Sequence, residues 1–149
     1  MRLLGRYFVI AAFVLLQGDP LGWVTAESAE LTGTLTVRVR GLMSGDGNLR
    51  FVLFDSEKNF LKHPVRAEVV QIKDQQGTWT IEELPYGVYA VLVHHDIDTN
   101  GTMERHWYGK PKEPTGASND APAKFGPPKF KNAKFQLESP TLTLTVTVK

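Results

Sequence analysis

Cysteine is absent from all 149 residues, which excludes a disulfide scaffold, a thiol nucleophile and a thiolate metal site. Stability must come from a packed core, or from a core together with a bound ion. Charge of either sign is not in excess, with 17 basic against 16 acidic residues. Nucleic-acid binding draws on surplus Lys and Arg, so no nucleic-acid partner is expected. Apolar runs are short: Tyr7 to Leu16 is about ten residues, half of the roughly twenty that a bilayer-spanning helix needs, and Gly18, Asp19 and Pro20 end it. A convincing 3.6-residue period is missing, so no long amphipathic helix is expected. Constellations for catalysis are poor as well. Ser118 has no His or acid at a recognisable spacing, and no Gly-rich phosphate cradle follows a strand.

The first residues read instead as a secretory signal. Arg2 and Arg6 form a positive region, the apolar run follows, and Val24-Thr25-Ala26 offers a small-residue cleavage site. The expectation is a signal peptide over 1–26 and a single domain over 27–149, secreted or periplasmic, without stable membrane insertion after cleavage. Residues 27–149 carry 15 basic and 15 acidic side chains, and a chain of that length can bury a sizeable core.

Period-two alternation dominates. Leu35, Val37 and Val39 share one face of Leu31–Arg40, and Leu142, Leu144, Val146 and Val148 alternate with Thr141, Thr143, Thr145 and Thr147. Further strands are predicted at Leu49–Phe54, Ala67–Ile72, Thr78–Leu84, Val88–His94 and Ala133–Leu137, with turn signals at Ser44-Gly45-Asp46-Gly47-Asn48 and Asp74-Gln75-Gln76-Gly77. One helical turn is expected at Ser56–Leu61, capped by Ser56. About seven short strands imply an all-β fold, an antiparallel sandwich of transthyretin-like or immunoglobulin-like type. The corner Leu84-Pro85-Tyr86-Gly87-Val88-Tyr89 resembles the LPxGxY corner of transthyretin-like and carboxypeptidase-regulatory-like sandwiches. Between Ile97 and Asn132 no strand pattern appears. This stretch, rich in Pro and Gly and carrying Trp107, Tyr108, Phe125 and Phe130, is read as one long ordered loop, the kind of segment where function tends to sit.

That loop opens on His94-His95-Asp96-Ile97-Asp98-Thr99-Asn100-Gly101-Thr102-Met103-Glu104, directly after the apolar run Val88–Val93. Oxygen-bearing side chains at alternate positions, followed by a turn at glycine, suit a hard cation. Asp96, Asp98 and Asn100 would supply side-chain oxygens to Ca²⁺, Thr102 its carbonyl, Glu104 a direct or water-mediated oxygen, and Glu113 a closing carboxylate. The bidentate Glu that closes a helical EF-hand is replaced by Trp107. Asn-Gly is also a strong hairpin turn in its own right, held by side-chain hydrogen bonds, and that alternative stays open.

Tyr89-Ala90, His95-Asp96, Asn100-Gly101, Gly109-Lys110-Pro111-Lys112-Glu113, Gly116-Ala117-Ser118-Asn119 and Gly126-Pro127-Pro128-Lys129-Phe130 together form one ordered signature. It resembles an uncharacterised secreted bacterial family, domain-of-unknown-function family twenty-one forty-one, with the pattern Y-A, H-D-x-N-x-N-G-x-x-D, G-x-P-x-E, G-F-S-N, G-P-P-x-F. Asp98 stands where that pattern has Asn, Glu104 where it has Asp, and Ala117 where it has an aromatic residue. The resemblance implies export but no activity.

The expected function is therefore an exported, non-enzymatic module whose loop, organised by Ca²⁺, contacts a protein or glycan at the cell envelope through Trp107, Tyr108 and Phe125. The alternative is a metal-dependent enzyme built on His95, Asp96 and His106. His94 and His95 point to opposite faces of a strand and cannot easily share one ion. A paired-carboxylate hydrolase using Glu104 and Glu113 is a further, weaker alternative.

Overall fold

The computed structural model describes residues 30–124 and 126–149. The expected signal segment over 1–26 and the expected contact residue Phe125 lie outside the described residues. No helix among the described residues is long and apolar enough to cross a membrane.

Among the described residues eight strands form two sheets: β1 (Thr32–Arg40), β2 (Asn48–Phe54), β3 (Arg66–Gln71), β4 (Gly77–Pro85), β5 (Gly87–Asp96), β6 (Thr115–Ala117), β7 (Phe135–Leu137) and β8 (Thr141–Thr147). One sheet has the order β4-β1-β8, the other β3-β2-β5-β6, with β7 also paired to β5. The fold is an all-β sandwich, as the alternation implies. One pair departs from the antiparallel rule, since β8 runs parallel to β1. Side-chain alternation has the same period in either orientation, so it carries no information about direction. The Thr34 amide donates to Pro140 at 2.8 Å, which fixes both strands at the same end of the sheet.

The inner faces enclose the core. Leu35, Val37, Trp79, Ile81 and Val146 from one sheet meet Leu49, Phe51, Leu53, Val91 and Val93 from the other. The corner between β4 and β5 is tied by Tyr89, whose hydroxyl donates to the Pro85 carbonyl at 2.8 Å while burial pushes its pKa up. From Tyr89 onward β5 is buried or half-buried on both faces, which explains why Tyr89–Val93 is a continuous apolar run rather than an alternating one, while Val88 stays exposed. Its outer face carries a second cluster in which Phe54, Ala90 and Phe60 pack with Ala117, Ala121, Phe130 and Ala133. Phe60 meets both Phe54 and Phe130 edge-on, at 5.1 and 5.5 Å between ring centres.

That second cluster corrects the reading of Ile97–Asn132 as strandless. Its latter half forms β6, a single 3₁₀ turn at Ser118–Asp120 and the start of a four-residue helix, α1 (Phe130–Ala133). Consequently the strand expected from Ala133 begins at Phe135. Strands β6 and β7 share one edge of β5, β6 at Leu92–His94 and β7 at Gly87–Tyr89. Ser118 fills the gap between them: its Oγ accepts from the Val91 amide at 3.0 Å and donates to the Ala133 carbonyl. A Cβ on Gly116 would lie 2.5 Å from the Thr147 carbonyl oxygen, so β6 meets β8 at a distance that only glycine permits. The segment after β2 makes helical turns, with Phe60 bonding back to Ser56, but the side chain that accepts there is Asp55, which takes Ser56 Oγ and Asn59 Nδ2.

Candidate functional site

Strand β5 ends in His94-His95-Asp96, and adjacent residues face opposite sides. His95 turns inward, its Nε2 2.9 Å from the Asp46 carbonyl oxygen. His94 and Asp96 turn to the outer face, where the register sets them against Arg50 and Asn48 of β2. All but Arg50 are buried, an expensive place for polar groups unless they are paired.

The chain leaving β5 returns to Asp96. Asp96 Oδ2 accepts from the Gly101 amide at 3.0 Å and from Arg50 Nη1 at 3.4 Å. Gly101 has φ +76°, the left-handed conformation that the Asn-Gly signal anticipated. Asp98 accepts from the Asn100 amide and from Asn100 Nδ2, at 3.1 and 2.8 Å. Asn100 Oδ1 in turn accepts from the Thr102 amide at 2.7 Å. Glu113 closes the loop from the far side, accepting the Ile97 amide at 2.7 Å on Oε1 and lying 2.6 Å from His94 Nε2 through Oε2.

Carboxylate oxygens of Asp96, Asp98 and Glu113 lie within 4.8 Å of one another, so this group can hold a metal ion. Oxygens bound to one Ca²⁺ at about 2.3–2.6 Å can be separated by at most roughly 4.6–5.2 Å, which the cluster satisfies. The other three residues expected as ligands have hydrogen-bond partners of their own. Asn100 is the turn-former, the Thr102 carbonyl accepts from the Glu104 amide at 3.1 Å, and Glu104 receives Lys112 Nζ at 2.8 Å. That exposed pair lowers the Glu104 pKa and raises that of Lys112, chiefly through the shared hydrogen bond. The Asn-Gly turn is formed with its side-chain hydrogen bonds, and the acidic cluster lies in the same loop.

Beyond the cluster the chain forms a hairpin. Lys112 donates its amide to Glu104, His106 to Lys110 and Gly109 to His106, at 2.9, 2.8 and 2.8 Å, and Arg105 Nη1 binds the Gly109 carbonyl at 2.9 Å. At the tip His106 stacks on Tyr108, ring centres 5.0 Å apart and 7° from parallel, and Trp107 meets Tyr108 edge-on at 5.5 Å. Trp107 is 96% exposed and Tyr108 59%. His106 is thus a tip residue while His95 is buried in the sandwich. With Asp96 they form no ligand group among the described residues. Glu104 and Glu113 are likewise held by different partners, Lys112 and His94.

Sequence reasoning missed Asn48 and Arg50 as neighbours of the cluster, and the pairing of His94 with Glu113. A polar Asn where the turn runs into β2 read as part of that turn, and the β2–β5 register that turns it toward Asp96 is not visible in either strand alone.

Comparison with curated proteins and with solved structures gave no match. A family model does match, over residues 37–145, and this span runs from β1 through the acidic loop, the hairpin and the Ser118-Asn119 turn into β8. The chain therefore belongs to the bacterial family described as "Uncharacterized protein conserved in bacteria (DUF2141)".

Proposed function

We propose that the chain is an exported, non-enzymatic glycan-binding module of the cell envelope, whose 104–112 hairpin is the contact surface and whose hairpin base is fixed by Ca²⁺ at Asp96, Asp98 and Glu113. The observation that carries the reading is the 96% exposure of Trp107 at the tip of a hydrogen-bonded hairpin. A large aromatic side chain loses little by being buried and gains much, so leaving one in water on an ordered arm is the signature of a surface awaiting a partner. A flat indole flanked by Arg105, His106 and Lys110 suits the apolar face of a sugar ring with hydroxyls at its rim. Stable protein interfaces bury about 800 Å² per partner, and two exposed rings fall well short of that, which favours the glycan over a protein.

Calcium suits the base because the cluster offers oxygen ligands rather than thiolates, and hard ligands select hard cations. Three carboxylates against the single Arg50 guanidinium beside Asp96 leave the cluster acidic, which a divalent cation can offset.

The test is titration of the full chain with soluble envelope oligosaccharides, followed by tryptophan emission. Of the three tryptophans, Trp79 is buried in the core and Trp23 falls in the expected signal segment, so comparison with Trp107→Ala assigns the shift to Trp107. The expected result is a saturable blue shift that Trp107→Ala abolishes. A calorimetric affinity unchanged by this substitution, or binding to a protein partner but to no glycan, overturns the reading.

A further inference from the structure

We infer that Asn48 is a ligand of the same cation, so that the ion joins β2 to the acidic loop across the sheet; this rests on the calcium reading above. Two side-chain oxygens at the end of the β2–β5 pair have no hydrogen-bond partner among the described residues, Asn48 Oδ1 and Asp96 Oδ1. Both residues are buried, at 7% and 0% exposure. Buried polar atoms are nearly always paired, and an orphan in a native fold calls for a ligand, an ion or a water. Here the two orphans belong to directly opposed residues of an antiparallel pair, whose side chains emerge on the same face about 5 Å apart at Cβ.

Asp96 divides its work in a way that points to an ion. Oδ2 takes the Gly101 amide and Arg50, leaving Oδ1 turned away from every donor among the described residues. The same carboxylate belongs to the cluster with Asp98 and Glu113. Adding Asn48 brings together four side chains that present acceptor oxygens. A water could bridge the two orphans but would leave the adjoining carboxylates of Asp98 and Glu113 unneutralised, whereas Ca²⁺ takes six to eight oxygens, amide carbonyls included, and supplies the opposite charge. Gly47 makes the approach possible: it has φ +74°, and a Cβ there would lie 2.1 Å from the Asp96 carbonyl oxygen. The β1–β2 turn is thereby pressed onto the backbone that carries Asp96, and the next residue along, Asn48, faces that carboxylate. His95 Nδ1 is a third buried orphan, but His95 faces the opposite side of the sheet and takes no part.

The experiment is calorimetric titration of the full chain with Ca²⁺ alone, comparing wild type, Asn48→Ala and Asn48→Asp, with the Asn48 side-chain amide followed by ¹⁵N NMR in the wild type. The expected result has three parts. Asn48→Ala weakens Ca²⁺ at least about tenfold, a typical loss when a group supporting a metal site is removed. Asn48→Asp tightens it, because ligand charge tunes affinity. The Asn48 Nδ2 resonances move as Ca²⁺ saturates.

If the wild type binds Ca²⁺ while both variants match it and the amide resonances stay put, Asn48 is not a ligand and the calcium reading survives alone. A wild type that takes up no Ca²⁺ removes both. Should Asn48→Ala fail to fold, Asn48→Asp and the wild-type resonances decide.

Discussion

The excursion between β5 and β7 divides into two halves of similar composition and opposite fate. The first, residues 97–114, turns Trp107 and Tyr108 into solvent, and its hairpin is closed by contacts within itself. The second, residues 115–134, buries Ala117, Ala121, Phe130 and Ala133 on the outer face of the β2–β5 sheet. Proline, glycine and aromatic content do not separate them. The difference is where the polar groups bond. In the second half Ser118 bonds Val91 and Ala133, and Asn119 Nδ2 reaches the Lys134 carbonyl at 2.8 Å, so the segment is tied to the sheet and to α1. In the first half the bonds to β5 stop at the base, at His94, His95 and Asp96. Small residues and outward bonds make a lining, whereas large rings and inward bonds make an arm.

The sharpest way to break this comparison is Ser118→Ala. The substitution strips the side-chain partner from the buried Val91 amide and leaves the Ala133 carbonyl only the longer 3.3 Å bond from Asn119 Nδ2. A buried group left unpaired costs about 1–3 kcal/mol, and a loss of roughly that size in urea unfolding is expected. A loss below about 1 kcal/mol would mean that the lining is held by its apolar contacts and that the Ser118 bonds are incidental.

How much of this was legible beforehand follows the same division. The alternating strands were readable because one face of each is buried, and Leu35, Val37, Val39, Val146 and Val148 all point into the core as their spacing implies. The direction of β8 was not, since parallel and antiparallel strands share one period. The acidic loop was readable from Asp96, Asp98 and the Asn100-Gly101 turn, because these residues are close in sequence. Glu113 was expected beside them and lies there, whereas the position of Asn48 opposite Asp96 was not legible, because it depends on cross-strand register. The second half of the excursion hid for a related reason: β6 is three residues long, and what fixes it is a serine bonding backbone in two other elements.

Calcium tests the base of the arm. At one hundred times the dissociation constant a ligand specific for the folded state adds about 2.7 kcal/mol. Thermal unfolding should therefore shift upward by several degrees with Ca²⁺ and fall back with EDTA. Asp98→Ala should lose that shift while keeping the cooperative transition of the sandwich, because Asp98 is an exposed residue whose bonds run only to Asn100. Equal unfolding with and without chelator would leave the loop as a turn held by its side chains.

Asp120 tests how the lining is tied to the first sheet. It accepts from the Thr147 amide at 2.9 Å and from Thr147 Oγ1 at 3.2 Å, and lies 3.6 Å from Arg40. Its pKa is lowered below 3.8, first by the Thr147 amide bond. A carboxylate depressed in the folded state contributes stability above its unfolded pKa and loses it as pH falls through the folded one. The contribution of Asp120 should thus be intact at neutral pH and disappear in acid below about pH 4. Asp120→Ala should cost on the order of 1 kcal/mol at pH 7, measured by urea midpoints, with the gap to wild type closing in acid. A gap that stays constant with pH would assign the cost to packing rather than to charge.

Trp107→Ala should have the smallest effect on stability and the largest on binding, and that contrast bears most directly on the arm. At 96% exposure the indole has almost no burial to lose, and its edge contact with Tyr108 is one of two, since Tyr108 keeps its stack on His106. Surface substitutions of this kind change stability by about 0.5 kcal/mol or less. The hairpin should persist because the backbone bonds of residues 104–112 and the Arg105 bond to the Gly109 carbonyl do not involve the ring. Glycan affinity should fall by tenfold or more, as an aromatic anchor at the centre of a contact typically contributes about 2 kcal/mol or more. If Trp107→Ala instead destabilised the fold by several kcal/mol and left binding intact, the ring would be packing against the body of the protein in solution. The arm would then be a second lining, and the division between the two halves would disappear.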